Sequence, residues 1–292
     1  FNIPAWLNKM VENNWLGDKT GQGFFKKVKT PEGKSDIQVL NLQTMEYTAR
    51  QRPKFDTLEA AKPIEDLPAR LKILINGTDK AGEFYRQFHY SLFSYISHRI
   101  PEISDEVYRL DDAMMAGFGW EIGAFESWDA SGLAKTTEAM KAAGFTLAKW
   151  VDDMLAAGHN TFYKVENGKR LYYDIAGKTY KNLPGGDTFL VMKYFANQTI
   201  WKNSSSRVYH LGDDVLGLEW NTKMNSIGGE VLESIQKGIS LAEEKYKGLV
   251  IANESANFSA GANIGMIFML AIEQDYDEID MEIQWFKIPL WR

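Results

Sequence analysis

Apolar residues recur along this chain with two different periods, and the changes between them divide it. In residues 5–14 Trp6, Leu7 and Met10 fall on one face of a predicted helix. Gly17, Gly21 and Gly23 break that pattern. Residues 24–28 and 37–40 then read as extended segments joined by a turn at Pro31-Glu32-Gly33. Residues 50–63 are polar and punctuated by proline, which predicts a plain connection between two modules. From 64 to 158 nearly everything has helical spacing. Residues 83–99 carry Phe84, Phe88, Leu92, Tyr95 and Ile96 three and four apart as the apolar stripe of one helix, which Pro101 stops. Ser104 is placed to cap the next helix, with Val107, Leu110 and Met114 inward. Further helical runs cover 120–129, 136–143 and 147–157, and Gly144 and Gly158 stand where helix C-caps belong.

The texture changes at Thr161. Residues 162–165 and 169–173 flank Asn167-Gly168, a strong hairpin signal. Residues 194–206 read as a polar link. Strands at 208–211 and 215–220, an amphipathic helix at 229–246 and a strand at 249–252 follow. This β-β-α-β order predicts a crossover unit on a sheet with at least one parallel pair. Runs at 264–270 and 278–286 return to helical spacing. Between the last strand and the helix at 264 lies Phe258-Ser259-Ala260-Gly261-Ala262-Asn263. A strand, a small-residue turn and a helix start leave backbone N–H groups unpaired and aimed at one point. Small residues let a substrate carbonyl come close to the main chain, so such a turn suits the oxygen of a thioester as negative charge develops on it. The same run also suits a plain strand–helix connection packed with small residues, and spacing alone leaves both readings open.

Composition narrows the classes. The 292 residues are 45% hydrophobic and 25% charged, with a net charge of −6 and no basic stripe, which argues against nucleic-acid binding. Cysteine is absent, so disulfides, thiolate metal sites and cysteine nucleophiles are excluded. No apolar run approaches the ~20 residues of a membrane span. His89, His98, His159 and His210 show no metal-ligand spacing, so no metal is expected. Ser204-Ser205-Ser206 lacks the context of a nucleophile elbow, and Asp275, Asp277, Glu278 and Asp280 read as a solvated helix start. The glycine-rich run 116–123, leading into Ala124-Phe125-Glu126-Ser127-Trp128-Asp129, has the wrong spacing and no preceding strand for a dinucleotide fingerprint; by its chemistry it reads as structural.

Two groups of motifs carry a family resemblance. Val215-Leu216-Gly217-Leu218-Glu219-Trp220-Asn221-Thr222-Lys223-Met224-Asn225-Ser226, a helix, Gly248-Leu249-Val250-Ile251 and then Asn257-Phe258-Ser259-Ala260-Gly261-Ala262-Asn263-Ile264 resemble the start of a crotonase (enoyl-CoA hydratase) domain. The resemblance implies that the Ala262 N–H is one oxyanion-hole donor and that Asn221, Lys223 and Asn225 lie on the CoA-proximal loop. It also implies that Ala260, beside Gly261, packs near the adenine end of CoA. Asn263 stands where that family commonly has Asp. Asp111-Asp112-Ala113-Met114, with Gly117, Gly119, Gly123, Phe125, Glu126 and Asp129, is similar to the signature of the C-terminal helical domain of 3-hydroxyacyl-CoA dehydrogenases, with Ala124 in place of the usual Pro. Residues 16–25 resemble the close of a preceding copy of that domain.

The implied fold is mostly α, two dehydrogenase-type C-terminal helical domains, followed by the truncated start of an α/β crotonase fold. The expected division is 1–50, the end of a first helical domain; 64–158, a second; 159–206, a connecting segment with a hairpin; and 207–292, the beginning of the crotonase-like part. With Phe1 in place of an initiator Met, the chain is expected to be the central piece of a fused β-oxidation protein. The parent implied by the resemblance is cytoplasmic, hydrates an enoyl-CoA and oxidises the 3-hydroxyacyl-CoA with NAD. Its NAD domain and the hydratase glutamates are expected outside this piece, which is then inactive alone. Partners implied are an acyl-CoA substrate and either a second copy or a domain of the same chain packed on the helices. The alternative is a non-catalytic CoA-binding or assembly module.

Overall fold

A computed structural model describes residues 2–186, 188–255 and 257–287; the expectation for residues 288–292 lies outside them. The chain opens with helix α1 (Ala5–Glu12) and an antiparallel sheet in the order β1 (Phe25–Lys29), β2 (Ser35–Leu40), β3 (Tyr47–Ala49). The hairpin of the first two strands was expected; the three-residue β3 is too short to leave a periodic signal. Among the described apolar residues of this segment only Met10 and Leu40 are buried.

The stretch 50–63 is not the plain connection its polarity predicts. Helix α2 (Asp56–Ala61) occupies it, between Pro53 and Pro63, and buries Thr57 and Ala61. A carboxylate twenty-two residues away, Asp79, accepts the Thr57 N–H at 3.0 Å, a partner invisible to local pattern. Helices α3 (Leu67–Asn76), α4 (Lys80–His98), α5 (Val107–Phe118), α6 (Ala124–Ser131), α7 (Leu133–Ala142) and α8 (Lys149–Ala156) follow. Asp66 caps α3 and Asp79 caps α4, each carboxylate accepting an N–H of the first turn. The ends of α7 and α8 are Schellman motifs: Phe145 N–H donates to Met140 C=O and Gly144 N–H to Lys141 C=O, with His159, Met154, Gly158 and Leu155 in the same roles one helix later. Gly144 and Gly158 therefore cap as expected, with φ of 84° and 85°.

Helix α4 corrects one expectation. Phe84, Phe88 and Tyr95 are exposed; the buried face is His89, Tyr90, Phe93, Ile96 and Ser97. The helix carries apolar residues on two faces, and only its neighbours decide which is covered. Phe93 stacks on Trp128 of α6 at 4.9 Å between ring centroids. Ser104 turns the chain before α5, accepting the Glu106 N–H, and is not the cap itself. Val107 is buried as expected, with Leu110 and Met114 packed against the core.

The hairpin of β4 (Tyr163–Glu166) and β5 (Lys169–Asp174) turns at Asn167-Gly168, both with positive φ, and β6 (Thr179–Asn182) extends its sheet. Phe162, Tyr172 and Tyr173 lie in the same core as Phe93, Phe125 and Trp128. The 159–206 stretch is thus divided between its neighbours. Its first half completes the helical core. Its second half is not a polar link: after a 3-10 turn at Met192–Gln198 it forms β7 (Thr199–Lys202), a strand of the next sheet.

That sheet has the order β10-β9-β8-β7, with β8 (Ser206–Gly212), β9 (Val215–Trp220) and β10 (Gly248–Ile251). Helix α9 (Gly229–Lys245) makes the crossover, and β9 and β10 are parallel, Val215 opposite Gly248 and Leu218 opposite Ile251, as the β-β-α-β order predicts. Val231 and Ile235 of α9 pack on Val208, Leu216 and Leu218 of the sheet. Helices α10 (Ile264–Glu273) and α11 (Tyr276–Lys287) end the described chain; Asp275 accepts the Glu278 N–H and so caps α11. With about 46% helix and 19% strand, the chain is mixed rather than mostly α. Among the described residues no helix is long and apolar enough to cross a membrane.

Candidate functional site

The turn at 258–263 is built by three layers of constraint. Main-chain bonds come first. Ala260 N–H donates to Met224 C=O at 3.1 Å, Ile227 N–H to Gly261 C=O at 2.8 Å, and Asn263 N–H to Ile227 C=O at 2.8 Å. Ile227 and Ala262 therefore form a parallel bridge. In such a bridge the residue facing its partner leaves its own N–H pointing to the opposite side. Among the described residues the Ala262 N–H accordingly has no acceptor, while the amides of Ala260, Gly261 and Asn263 are occupied. Ala262 itself is half-buried.

Side chains come second. Asn253 ties the turn to the end of β9, accepting the Trp220 N–H at 3.0 Å and donating to Phe258 C=O at 2.7 Å. The rings of Trp220 and Phe258 meet edge to face at 5.5 Å. Backbone conformation comes third. Gly261 has φ of 89° with open space where a Cβ would stand, so glycine is needed there for its torsion and not for room. Asn263 caps α10, accepting the Met266 N–H, a role that an Asp would fill equally well.

The loop 221–225 closes the other side. Asn221 and Lys223 are exposed, as is Met224. Asn225 is only 6% exposed, and its two amide donors go to Ser255 and Asn257 within the chain. It ties one loop to the other. Ala260 is exposed beside it. The expected site residues are therefore brought together, with one amide free, three side chains at the surface and one inside.

A cleft of about 450 Å³ lies beside this loop, at the carboxyl ends of the parallel strands, lined by Asn221, Met224 and Asn225. Such crevices are where open α/β sheets bind ligands. Its other walls hold Glu65, Asp66, Glu219 and Glu254 against one cation, Lys193. Burial, with the nearby Glu254 adding to it, pushes the Glu219 carboxyl above the usual carboxylate range, although Tyr209 donates its hydroxyl to it at 2.7 Å. Four carboxylates make this cleft a poor place for the phosphates of a nucleotide. Lys223 is not among its walls.

A second cluster escaped sequence reasoning as a set, although each member lies on a motif already singled out. The Asp111 carboxylate is buried and accepts the N–H groups of Phe125 and Glu126 and the hydroxyl of Tyr163, at 2.8, 3.1 and 2.8 Å. It serves as the N-cap acceptor of α6 from another helix, because the residue in the cap position, Gly123, has no side chain. A Cβ on Gly123 would stand 2.2 Å from Asp111 Cβ, so that glycine is there for room. Asp129 accepts the N–H groups of Phe162 and Tyr163 and fastens the hairpin to α6. Burial pushes both Asp111 and Asp129 up to about 7, each opposed by the backbone donors it receives. Glu126 pairs with Arg170, whose guanidinium lies 4.3 Å from the Tyr163 ring centre. Asp111, Glu126 and Asp129 thus each bind another part of the chain, in keeping with the structural reading of this run.

Neither this run nor the β9–α9–β10 crossover offers a glycine-rich strand–helix turn of dinucleotide-binding form. Among the described residues the chain does not fit NAD, and no group of ligands suits a metal ion.

Comparison with known proteins bears on this geometry. Over 289 residues the chain is 38% identical to a protein from Bacillus subtilis named "Probable 3-hydroxyacyl-CoA dehydrogenase". That match covers 98% of this chain and 36% of the relative. This chain is similar to part of a fatty-acid oxidation protein. Two proteins named "Putative fatty acid oxidation complex trifunctional enzyme", from Rickettsia prowazekii and Rickettsia felis, are 24% and 23% identical over 94% and 96% of the chain, and it covers 34% of each. The chain thus spans about a third of the length of the curated relatives it matches. No protein-family model and no solved structure matches it.

Proposed function

We propose that this chain is a segment of a fatty-acid β-oxidation enzyme, in which it supports the 3-hydroxyacyl-CoA dehydrogenase reaction with its helical module and begins an enoyl-CoA hydratase site with its α/β unit. The whole protein hydrates a trans-2-enoyl-CoA and oxidises the resulting 3-hydroxyacyl-CoA. The names of the relatives support the first reaction class; the second is an inference from the turn at 258–263. NAD is held by a part of that protein other than the residues described here.

The observation that supports the reading is the Ala262 N–H, which has no acceptor among the described residues and is turned away from Ile227 by the bridge, just before a helix start. A thioester carbonyl accepting this hydrogen bond gains most when its oxygen becomes negative, which is when a nucleophile adds to the conjugated chain. Asn221, Lys223 and Ala260 form the exposed rim along which CoA lies; Lys223 and Ala260 stand outside the acidic cleft, and Asn221 is at its edge. Among the described residues the reading assigns one donor and no general acid or base for water. Loss of one oxyanion donor alone costs ~3 kcal/mol of transition-state stabilisation, and loss of the acid/base a further ~10²–10⁴-fold.

The isolated chain is therefore expected to be inactive, and the whole protein active. The test follows NADH formation from 3-hydroxybutyryl-CoA and loss of the enoyl absorbance of trans-2-butenoyl-CoA, with both proteins. Turnover by the isolated chain, or none of either substrate by the whole protein, overturns the proposal.

A further inference from the structure

We propose that Asn225 is a positioning residue for the thioester site: its side-chain amide and its carbonyl, the latter through Ser259, hold the 255–262 turn so that the Ala262 N–H faces the substrate carbonyl. This rests on the thioester reading of the same site.

The case starts from hydrogen-bond accounting. Asn225 lies on a 3-10 turn in which Met224 and Asn225 both have left-handed backbone conformations, with φ of 55° and 52°. Asn tolerates that region better than most residues, and Gly tolerates it best. The reversal leaves both the carbonyl and the side chain of Asn225 engaged with the turn that follows β10. Its Nδ2 donates to Ser255 Oγ and to Asn257 C=O, both at 3.1 Å. Its C=O accepts from Trp220 Nε1 at 3.1 Å and from Ser259 Oγ at 2.6 Å, so both lone pairs are used. Ser259 Oγ in turn accepts the Gly261 N–H at 3.0 Å. One residue thus grips the turn at 255, 257 and 259, and through the serine at 261, immediately before Ala262.

The distribution of these bonds argues for alignment. Two residues further on, Ile227 forms the bridge that turns the Ala262 N–H away from it. The bridge sets the direction of the Ala262 N–H; Asn225 sets where the whole turn sits relative to that bridge. The turn has little apolar support. Phe258, Ala260 and Asn263 are exposed, and α10 buries none of its described residues. No buried apolar residue of α10 anchors the turn, so its position rests on polar bonds: the Asn225 clamp, the main-chain bonds to Met224 and Ile227, and the Asn253 tie to Phe258. A donor displaced by a fraction of a hydrogen-bond length from a developing oxyanion loses much of its effect, because the energy falls steeply with distance and angle.

The side-chain donors are also fully committed. With both amide hydrogens occupied internally and 6% of its surface exposed, Asn225 has no side-chain donor left for CoA. Its loss should therefore act on the chemical step and leave ground-state CoA binding nearly untouched.

The experiment uses the whole protein with Asn225→Gly, Asn225→Asp and Ser259→Ala. Asn225→Gly keeps the left-handed backbone and the carbonyl but removes both amide donors. Asn225→Asp keeps the shape but sets a carboxylate against Asn257 C=O. The spectroscopic probe is butanoyl-CoA carrying ¹³C at the thioester carbon, which cannot be hydrated. Its bound carbonyl stretch, read by isotope-edited Raman difference, falls in frequency when an aligned donor polarises it.

The expected result is a lowered stretch in the unaltered protein and a stretch shifted back toward the free value in all three variants. Hydration kcat should fall on the order of 10- to 100-fold with KM changed less than about twofold. Asn225→Asp should recover part of its activity on acidification, as the protonated carboxyl regains one donor, and Asn225→Gly should not. A lowered stretch in the unaltered protein that persists unchanged in Asn225→Gly and Asn225→Asp overturns the positioning role alone, since the three main-chain bonds would then suffice. A stretch not lowered in the unaltered protein, or no binding of butanoyl-CoA to it, overturns the thioester reading and the role of Asn225 with it.

Discussion

Two glycine-containing turns in this chain lead into helices, and they end in opposite states. At the start of α6 the run through Gly123 delivers Phe125 and Glu126 N–H groups to a buried carboxylate, Asp111. At the start of α10 the run through Gly261 leaves the Ala262 N–H with no acceptor among the described residues. The local logic is the same: small residues, a helix N-terminus, unpaired donors. The difference is a third party. In the helical core another helix brings an anion, and the donors become structural. In the α/β unit Ser259 takes the Gly261 amide and Ile227 of the neighbouring loop takes that of Asn263, and the Ala262 N–H between them is turned away from Ile227. Unpaired amides become a candidate binding site only when the rest of the fold has no use for them.

The largest test of this contrast is Ala262→Pro in the whole protein. It deletes the free donor, and hydration should fall by about 10²–10³-fold in kcat with thermal unfolding nearly unchanged. The matching change in the other turn, Asp111→Ala, should do the reverse. It strands two buried N–H groups and a tyrosine hydroxyl and should cost on the order of 3 kcal/mol, read as a lower urea midpoint at constant slope.

The two glycines sharpen the comparison further. Gly123→Ala drives a methyl into Asp111 and should cost about 2 kcal/mol, whereas Gly261→Ala meets open space and carries only the torsional penalty, about 1 kcal/mol. Equal losses in thermal unfolding would show that both glycines serve the same end.

A further contrast is one of pH. Asp111 and Asp129 are pushed up to about 7 by burial, against about 3.9 for Asp in an unfolded chain. Between those values the folded protein holds protons that the unfolded chain does not. Stability from this pair therefore rises as pH falls from about 7 toward about 4, and is lost as pH rises through 7. The urea midpoint of the unaltered chain at pH 5.5 relative to pH 8 should exceed that of the Asp111→Asn, Asp129→Asn double variant. Equal differences would mean that both carboxylates stay ionised across this range, held so by their backbone donors.

What could be read from sequence follows from range. Gly144 and Gly158 announce helix ends, and Asn167-Gly168 announces a hairpin, because each acts on its own neighbours through φ. The crossover from β9 to β10 was legible because strand, helix and strand each carry a long enough pattern. Helix α2 and strands β3, β6 and β7 were not, being three to six residues long and held by partners elsewhere. The face of α4 was misread in part: Ile96 is buried and Leu92 packs on the core as expected, but Phe84, Phe88 and Tyr95 are exposed and Tyr90 and Phe93 are covered instead. Periodicity shows that a stripe exists, not which stripe meets a neighbour.

The candidate site divides in the same way. Sequence alone determined that a small-residue turn would join a strand to a helix and that Asn221, Lys223, Asn225, Ala260, Gly261 and Ala262 belonged to two loops near it. Only the tertiary structure decided which of those groups remain free: it turned the Ala262 N–H away from Ile227, drew Asn225 inward and placed four carboxylates in the adjoining cleft. The physical reason is that a hydrogen-bonding group is defined by its partner. Torsional preference is a property of a residue and its neighbours, but whether a donor is satisfied depends on atoms thirty or more residues away, and those meet only when the chain has folded.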